Sequence, residues 1–211
     1  MKKWFFRGPF IWFAYGISVK NVYGLENVPK KNGFIVAANH SSYMDIWSLS
    51  STFLRKLKIN IRFLAKKELY DMWLLRWFLS SYAPIPFDRK LQKKIGLKEA
   101  LNTLKKGDVV GLYPEGTRSL TGKIQKGKTG VARLALCAKV PVVPVGIKGA
   151  FEVMPKGTYI PRFKKNIIIT IGKPMYFNKY YNKPITKKLL RKITDTIMRE
   201  IAKLSGQRKT K

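Results

Sequence analysis

Gly33-Phe34-Ile35-Val36-Ala37-Ala38-Asn39-His40-Ser41-Ser42-Tyr43-Met44-Asp45 is the stretch from which the rest of this chain can be laid out. Its apolar run from Phe34 to Ala38, opened by a glycine, predicts a buried strand that ends at His40. From Asp45 to Lys56 the period changes, with Ile46, Leu49, Phe53 and Leu57 at near-helical spacing. A buried strand passing through a short polar turn into a helix is half of a β–α unit.

The same alternation recurs downstream. Arg62–Ala65 predicts a short strand, and Tyr70–Leu79 a helix dense in aromatic residues. Pro84–Phe87 is expected to be extended, because Pro84 and Pro86 exclude a helix. Lys90–Leu104 reads as an amphipathic helix stopped by Gly107. Val109–Tyr113 predicts a second buried strand, followed by a polar loop to Lys128 and a helix over Gly130–Lys139. Val140–Ile147 predicts a strand opened by Pro141 and broken by Pro144, and Asn166–Ile171 a last strand. Leu189, Ile193, Ile197, Ile201 and Leu204 lie on one face of a C-terminal helix. Strands alternating with helices define the α/β class: one domain over 20–211, with a mixed, largely parallel sheet flanked by helices.

Charge restricts the partners. The 211 residues carry a formal net charge of +32 with an ordinary 45% of hydrophobic residues. A chain so basic repels itself and calls for an anionic partner, whether lipid headgroups, a phosphorylated cosubstrate or nucleic acid. Cys137 is the only cysteine, which excludes an internal disulfide and fits a reducing compartment; its apolar neighbours predict a buried side chain. One cysteine and one histidine, His40, argue against a zinc site.

Residues 1–19 are expected to form an interfacial membrane anchor. The sixteen residues from Trp4 to Val19 would span only about 24 Å as a helix, short of a hydrocarbon core of about 30 Å, and Pro9 interrupts them. Trp4, Trp12 and Tyr15 suit the headgroup boundary. Packing of an N-terminal helix on the core is the alternative.

Chemistry is expected where strands end. His40 and Asp45 are close enough in sequence for the carboxylate to fold back onto one imidazole nitrogen, leaving the other as a base. Histidine, with an ordinary pKa of about 6.5, suits removal of a proton from a hydroxyl near neutrality. Tyr113-Pro114-Glu115-Gly116-Thr117-Arg118-Ser119 follows the second buried strand. There Arg118 offers a fork of donors matched to phosphate, and Gly116 permits close backbone approach. Phe87-Asp88-Arg89 brings a second arginine after an extended segment. Gly122-Lys123-Ile124-Gln125-Lys126-Gly127-Lys128-Thr129 satisfies the phosphate-loop pattern by letter, yet it does not follow directly on a strand, so nucleotide hydrolysis is not expected.

Taken together, His40-x4-Asp45, Phe87-Asp88-Arg89, Pro114-Glu115-Gly116-Thr117-Arg118-Ser119 and Val140-Pro141-Val142-Val143-Pro144-Val145 resemble, in order and spacing, the four motifs of the glycerolipid acyltransferases. The resemblance is nearest to bacterial 1-acyl-glycerol-3-phosphate acyltransferases and runs from about Gly24 to Gly172. It implies acyl transfer from a thioester to a lysophosphatidic acid hydroxyl, with His40 as base and Asp45 as its orienter. It further implies that Arg89 and Arg118 bind the acceptor phosphate, with Glu115, Gly116 and Thr117 forming that pocket. Lys66 matches a position near the reacting carbonyl, and Pro141 and Pro144 match pocket-shaping positions. No cofactor is implied beyond the co-substrate, acyl-CoA or acyl carrier protein. The expected setting is the anionic surface on the cytoplasmic face of the cell membrane, with peripheral or monotopic attachment. Glycerol 3-phosphate or another lysolipid remains an alternative acceptor, and a basic nucleic-acid-binding protein the rival from another class, although no nucleic-acid fold signature is present.

Overall fold

In chain order the elements are β1 (Val19–Tyr23), β2 (Ile35–Ala38), α1 (Met44–Thr52), β3 (Ile61–Lys66), β4 (Ile85–Phe87), α2 (Lys93–Lys105), β5 (Val109–Leu112), α3 (Gly130–Ala138), β6 (Val142–Lys148), α4 (Ala150–Val153), β7 (Ile167–Ile171) and α5 (Lys187–Leu204). The computed structural model describes residues 15–16, 18–30, 33–66, 85–87, 93–158, 160–162 and 165–207, with the backbone alone at 65–66, 85–87 and 93–95. The strands form one seven-stranded sheet in the order β1-β7-β6-β2-β5-β3-β4. Only β6 with β7 is antiparallel; the other pairings are parallel.

β2 sits between β5 and β6, with Ile35 in register with both Val110 and Val142. From β2 the chain crosses to one flank of the sheet, and from β5 to the other. The carboxyl ends of β2 and β5 therefore lie side by side where the winding reverses, the usual place for a site in an open α/β sheet.

Both faces of β2 are covered, which is why it reads as a continuous apolar run rather than an alternating one. Phe34, Val36 and Ala38 pack with Leu49 and Phe53, the latter just beyond α1. Ile35 and Ala37 pack with Leu104 of α2, Leu134 of α3 and Ile193 and Ile197 of α5. The buried stripe of α5 is Leu190, Ile193, Ile197 and Ile201, while Leu189 and Leu204 lie at its margins. Thr186 starts that helix by accepting the Leu189 N–H.

The structure corrects several expectations. Val19 is buried in the core and opens β1, so the expected anchor over 1–19 overlaps the sheet at its end. Tyr15 packs against the same core, under the Arg55 guanidinium. Residues 1–14 and the aromatic helix expected over Tyr70–Leu79 lie outside the described residues. Cys137 is exposed, because α3 turns its other side to the core through Leu134, Ala135 and Leu136. Pro144 does not break β6. It lies where the pairing with β7 ends, its carbonyl accepting from Gly172 N–H while the ladder runs on from Val145 opposite Ile171. Among the described residues no helix is long and apolar enough to cross a membrane.

Candidate active site

His40 leaves the end of β2 with its ring turned back onto α1. Its Nδ1 is 2.9 Å from Asp45 Oδ2, and the two side chains are 13% and 0% exposed. The same carboxylate oxygen accepts the backbone N–H groups of Ser41 and Ser42, each at 2.7 Å. Ser42 Oγ in turn accepts from Met44 N–H and donates to the Met154 carbonyl. Ser42 thus ties the entry of α1 to Met154, while its own N–H is held by Asp45. An acceptor-only carboxylate on Nδ1 fixes that nitrogen as the protonated one. Nε2 has no hydrogen-bond partner among the described residues, so its lone pair is available to accept a proton.

The backbone of His40 is clamped as well. Its N–H donates to Glu115 Oε1 at 2.8 Å, and its carbonyl accepts from Ser119 N–H at 2.8 Å. Glu115 Oε2 accepts from Gln125 N–H at 2.9 Å and from Gln125 Nε2 at 3.3 Å. One buried carboxylate therefore ties the end of β2 to both ends of the loop that follows β5. Burial pushes the Glu115 carboxyl above the ordinary carboxylate range, against the lowering effect of the hydrogen bonds from Gln125 and His40. One residue below the histidine, the Asn39 side chain pairs with the Ile147 backbone through two 2.8 Å bonds and extends the β2–β6 ladder where regular pairing stops.

Arg118 lies in the same loop with its guanidinium 3.6 Å from the centroid of the Tyr43 ring. Its Nη1 is buried and without a hydrogen-bond partner among the described residues. Tyr43 belongs to the His40–Asp45 turn, so an anion held by Arg118 would lie beside His40. Gly116 has φ +73, and a Cβ there would stand 2.9 Å from Lys128 Nζ; the bare α-carbon lets that lysine lie across the turn. Thr117 is exposed, and its carbonyl accepts from Gln125 Nε2.

His40, Asp45, Glu115, Gly116, Thr117 and Arg118 are thus brought together. The backbone of Lys66 ends β3 at the same sheet edge. Arg89 lies outside the described residues, two positions beyond the end of β4. Pro141 and Pro144 are not at this edge. Pro141 accepts from Ile35 N–H at the opposite end of β2, and Pro144 is paired with Ala37 and packs against Gly172. The phosphate-loop pattern is not a strand-borne cradle: Gln207 holds Gly122 and Ile124, and Arg191 donates to the Gly127 carbonyl, so the run is docked on α5. Asn39 and Gln125 were not singled out by sequence; their partners lie 108 and 10 residues away.

A histidine held by a buried aspartate, with an arginine-bearing loop beside it at the switch of an α/β sheet, is an arrangement able to take a proton from a hydroxyl next to a bound anion, as a group-transfer enzyme requires. Residues 19–148 match the family model described as Acyltransferase, and the chain belongs to the acyltransferase family. It is 30% identical over 189 residues to the 1-acyl-sn-glycerol-3-phosphate acyltransferase of Bacillus subtilis, covering 88% of each chain. It is 32% identical over 159 residues to the enzyme of the same name from Pseudomonas aeruginosa, covering 74% of this chain and 58% of that one. The crystal structure of the 1-acyl-sn-glycerophosphate (LPA) acyltransferase PlsC from Thermotoga maritima superposes with a TM-score of 0.69 at 28% identity, covering 97% of this chain and 83% of that one.

Proposed function

We propose that this acyltransferase moves a fatty acyl group from an acyl thioester, acyl-CoA or acyl carrier protein, to the free hydroxyl of 1-acyl-glycerol 3-phosphate, giving phosphatidic acid. The observation that carries the reading is the His40–Asp45 pair at 2.9 Å beside an arginine whose Nη1 is buried and without a hydrogen-bond partner among the described residues. His40 Nε2 removes the acceptor hydroxyl proton as the oxygen attacks the thioester carbonyl. The carbon–oxygen bond forms, the carbon–sulfur bond breaks, and the proton passes from His40 to the departing thiolate. Asp45 keeps the imidazole in the required tautomer and stabilises the imidazolium formed in between. A thioester is reactive enough for direct transfer, so no serine nucleophile is called on.

Arg118 and Arg89 take the acceptor phosphate, which sets its hydroxyl near His40. Glu115 and Gly116 hold the loop in the shape this requires, and Lys66 assists at the developing oxyanion. The reaction is placed on the cytoplasmic face of the cell membrane, with peripheral or monotopic attachment. The test is purified protein assayed against a matrix of both donor types and of glycerol 3-phosphate, 1-acyl-glycerol 3-phosphate and a lysolipid lacking a terminal phosphate. Preference for 1-acyl-glycerol 3-phosphate is expected; equal use of the lysolipid without that phosphate would contradict the role given to the arginines.

A further inference from the structure

Hydrogen bonds hold the backbone of His40 and its Nδ1, but a single bond at Nδ1 leaves the ring able to rock about that axis. The remaining restraint is aromatic. Tyr113 lies against the imidazole with centroids 4.0 Å apart and planes within 15°. Phe63 of β3 stacks with Tyr113 at 5.6 Å and 13°, so its ring and those of His40 and Tyr113, just past the ends of β2 and β5, form one pile. The pile needs Gly111, where a Cβ would come 2.5 Å from Ile61 Cγ2 and 2.6 Å from Phe63 Cε1.

The arrangement also carries a stability cost. The Tyr113 hydroxyl is buried with no hydrogen-bond partner among the described residues, where phenylalanine would bury no such group. Burial, with a contribution from the Asp45 charge, holds that phenol well above its ordinary range, so the ring stays neutral. A neutral aromatic face attracts a cation laid over it. The imidazolium formed during proton transfer is such a cation.

We propose that Tyr113 is a positioning residue of this enzyme. Its ring, backed by Phe63 in the space left by Gly111, fixes the plane of the His40 imidazole and stabilises its protonated form. The kinetic consequence rests on the acyl-transfer reading; the structural one does not.

Because His40 is the only histidine, carbon-13 labelling of histidine gives a single imidazole signal set. Its ring protons should be shifted upfield by the stacked ring in the wild type and in Tyr113→Phe, and should return toward the position of a free imidazole in Tyr113→Leu. In acyl-transfer assays Tyr113→Leu should lower kcat by roughly 10- to 100-fold while the donor and acceptor KM stay within about twofold. Tyr113→Phe should restore most of the kcat and melt no lower than the wild type. Phe63→Leu, which leaves the His40–Tyr113 contact but loosens its backing, should give the same pattern more weakly, and it serves where Tyr113→Leu folds poorly. An unshifted imidazole in the wild type, a Leu variant impaired only in KM, or a Phe variant as slow as the Leu variant would overturn the proposal. Upfield-shifted signals in a wild type that transfers no acyl group would instead overturn the reading of the reaction.

Discussion

Glu115 shows how much of this site depends on a single carboxylate. Its two oxygens hold the N–H of His40 and the side chain and backbone of Gln125, so its loss loosens His40 and the arginine loop together. Glu115→Gln turns an amide toward donors that need an acceptor, and should destabilise the fold by about 1–3 kcal/mol. The pH dependence has a definite sign. A carboxyl whose folded pKa is raised binds its proton more tightly when folded, so its contribution is present in acid and is lost as pH rises through the folded value. In urea unfolding across pH, the stability of the wild type relative to Glu115→Gln should therefore fall as pH rises out of the acid range; a difference that grows with pH would contradict the burial argument. Arg118→Lys keeps the charge but loses the fork, and should raise the acceptor KM roughly tenfold, about the value of one charge-assisted hydrogen bond, with the donor KM little changed. His40 and Asp45 were legible in sequence because their contact is closed within one turn. The clamp of Glu115 on His40 was not, since it spans 75 residues and depends on which strands lie side by side.

At the scale of elements, legibility followed burial. β2, β5 and β6 are buried on both faces and announced themselves as short apolar runs, and α5 announced itself by its stripe. β1 did not: Val19–Tyr23 is an edge strand with only Val19 buried, so it carries neither an apolar run nor a clean alternation. Pro144 misled because proline removes a donor, a penalty avoided here by its position at the margin of the β6–β7 ladder. Cys137 misled because an apolar run within one helix cannot all face inward. Gly111 looked like an ordinary strand residue, yet β5 accommodates Phe63 only because nothing projects there. Gly111→Ala should lower stability by about 1–3 kcal/mol through overpacking against Ile61 and Phe63, both buried. A thermal melt checks it, and an unchanged midpoint would show that the sheet can open at that point.

At the scale of the whole molecule, the net charge of +32 is the largest feature that the fold itself does not use. Each lysine or arginine near an anionic lipid surface adds about 1 kcal/mol of attraction, so a few together exceed the hold of a short apolar segment. In vesicle flotation the full chain is expected to bind anionic vesicles, to bind zwitterionic ones weakly, and to release as salt rises. Removal of residues 1–14, a cut that spares β1, should weaken binding further; a chain that stays in solution with anionic vesicles at low salt would remove the membrane from this account. The reaction itself is tested most directly by acyl transfer to 1-acyl-glycerol 3-phosphate, comparing the wild type with His40→Ala shown by circular dichroism to be folded. Removal of the base should cost on the order of 100- to 10,000-fold in kcat, with the acceptor still bound. Near-normal turnover by the folded His40→Ala protein would contradict the assignment of His40 as the base.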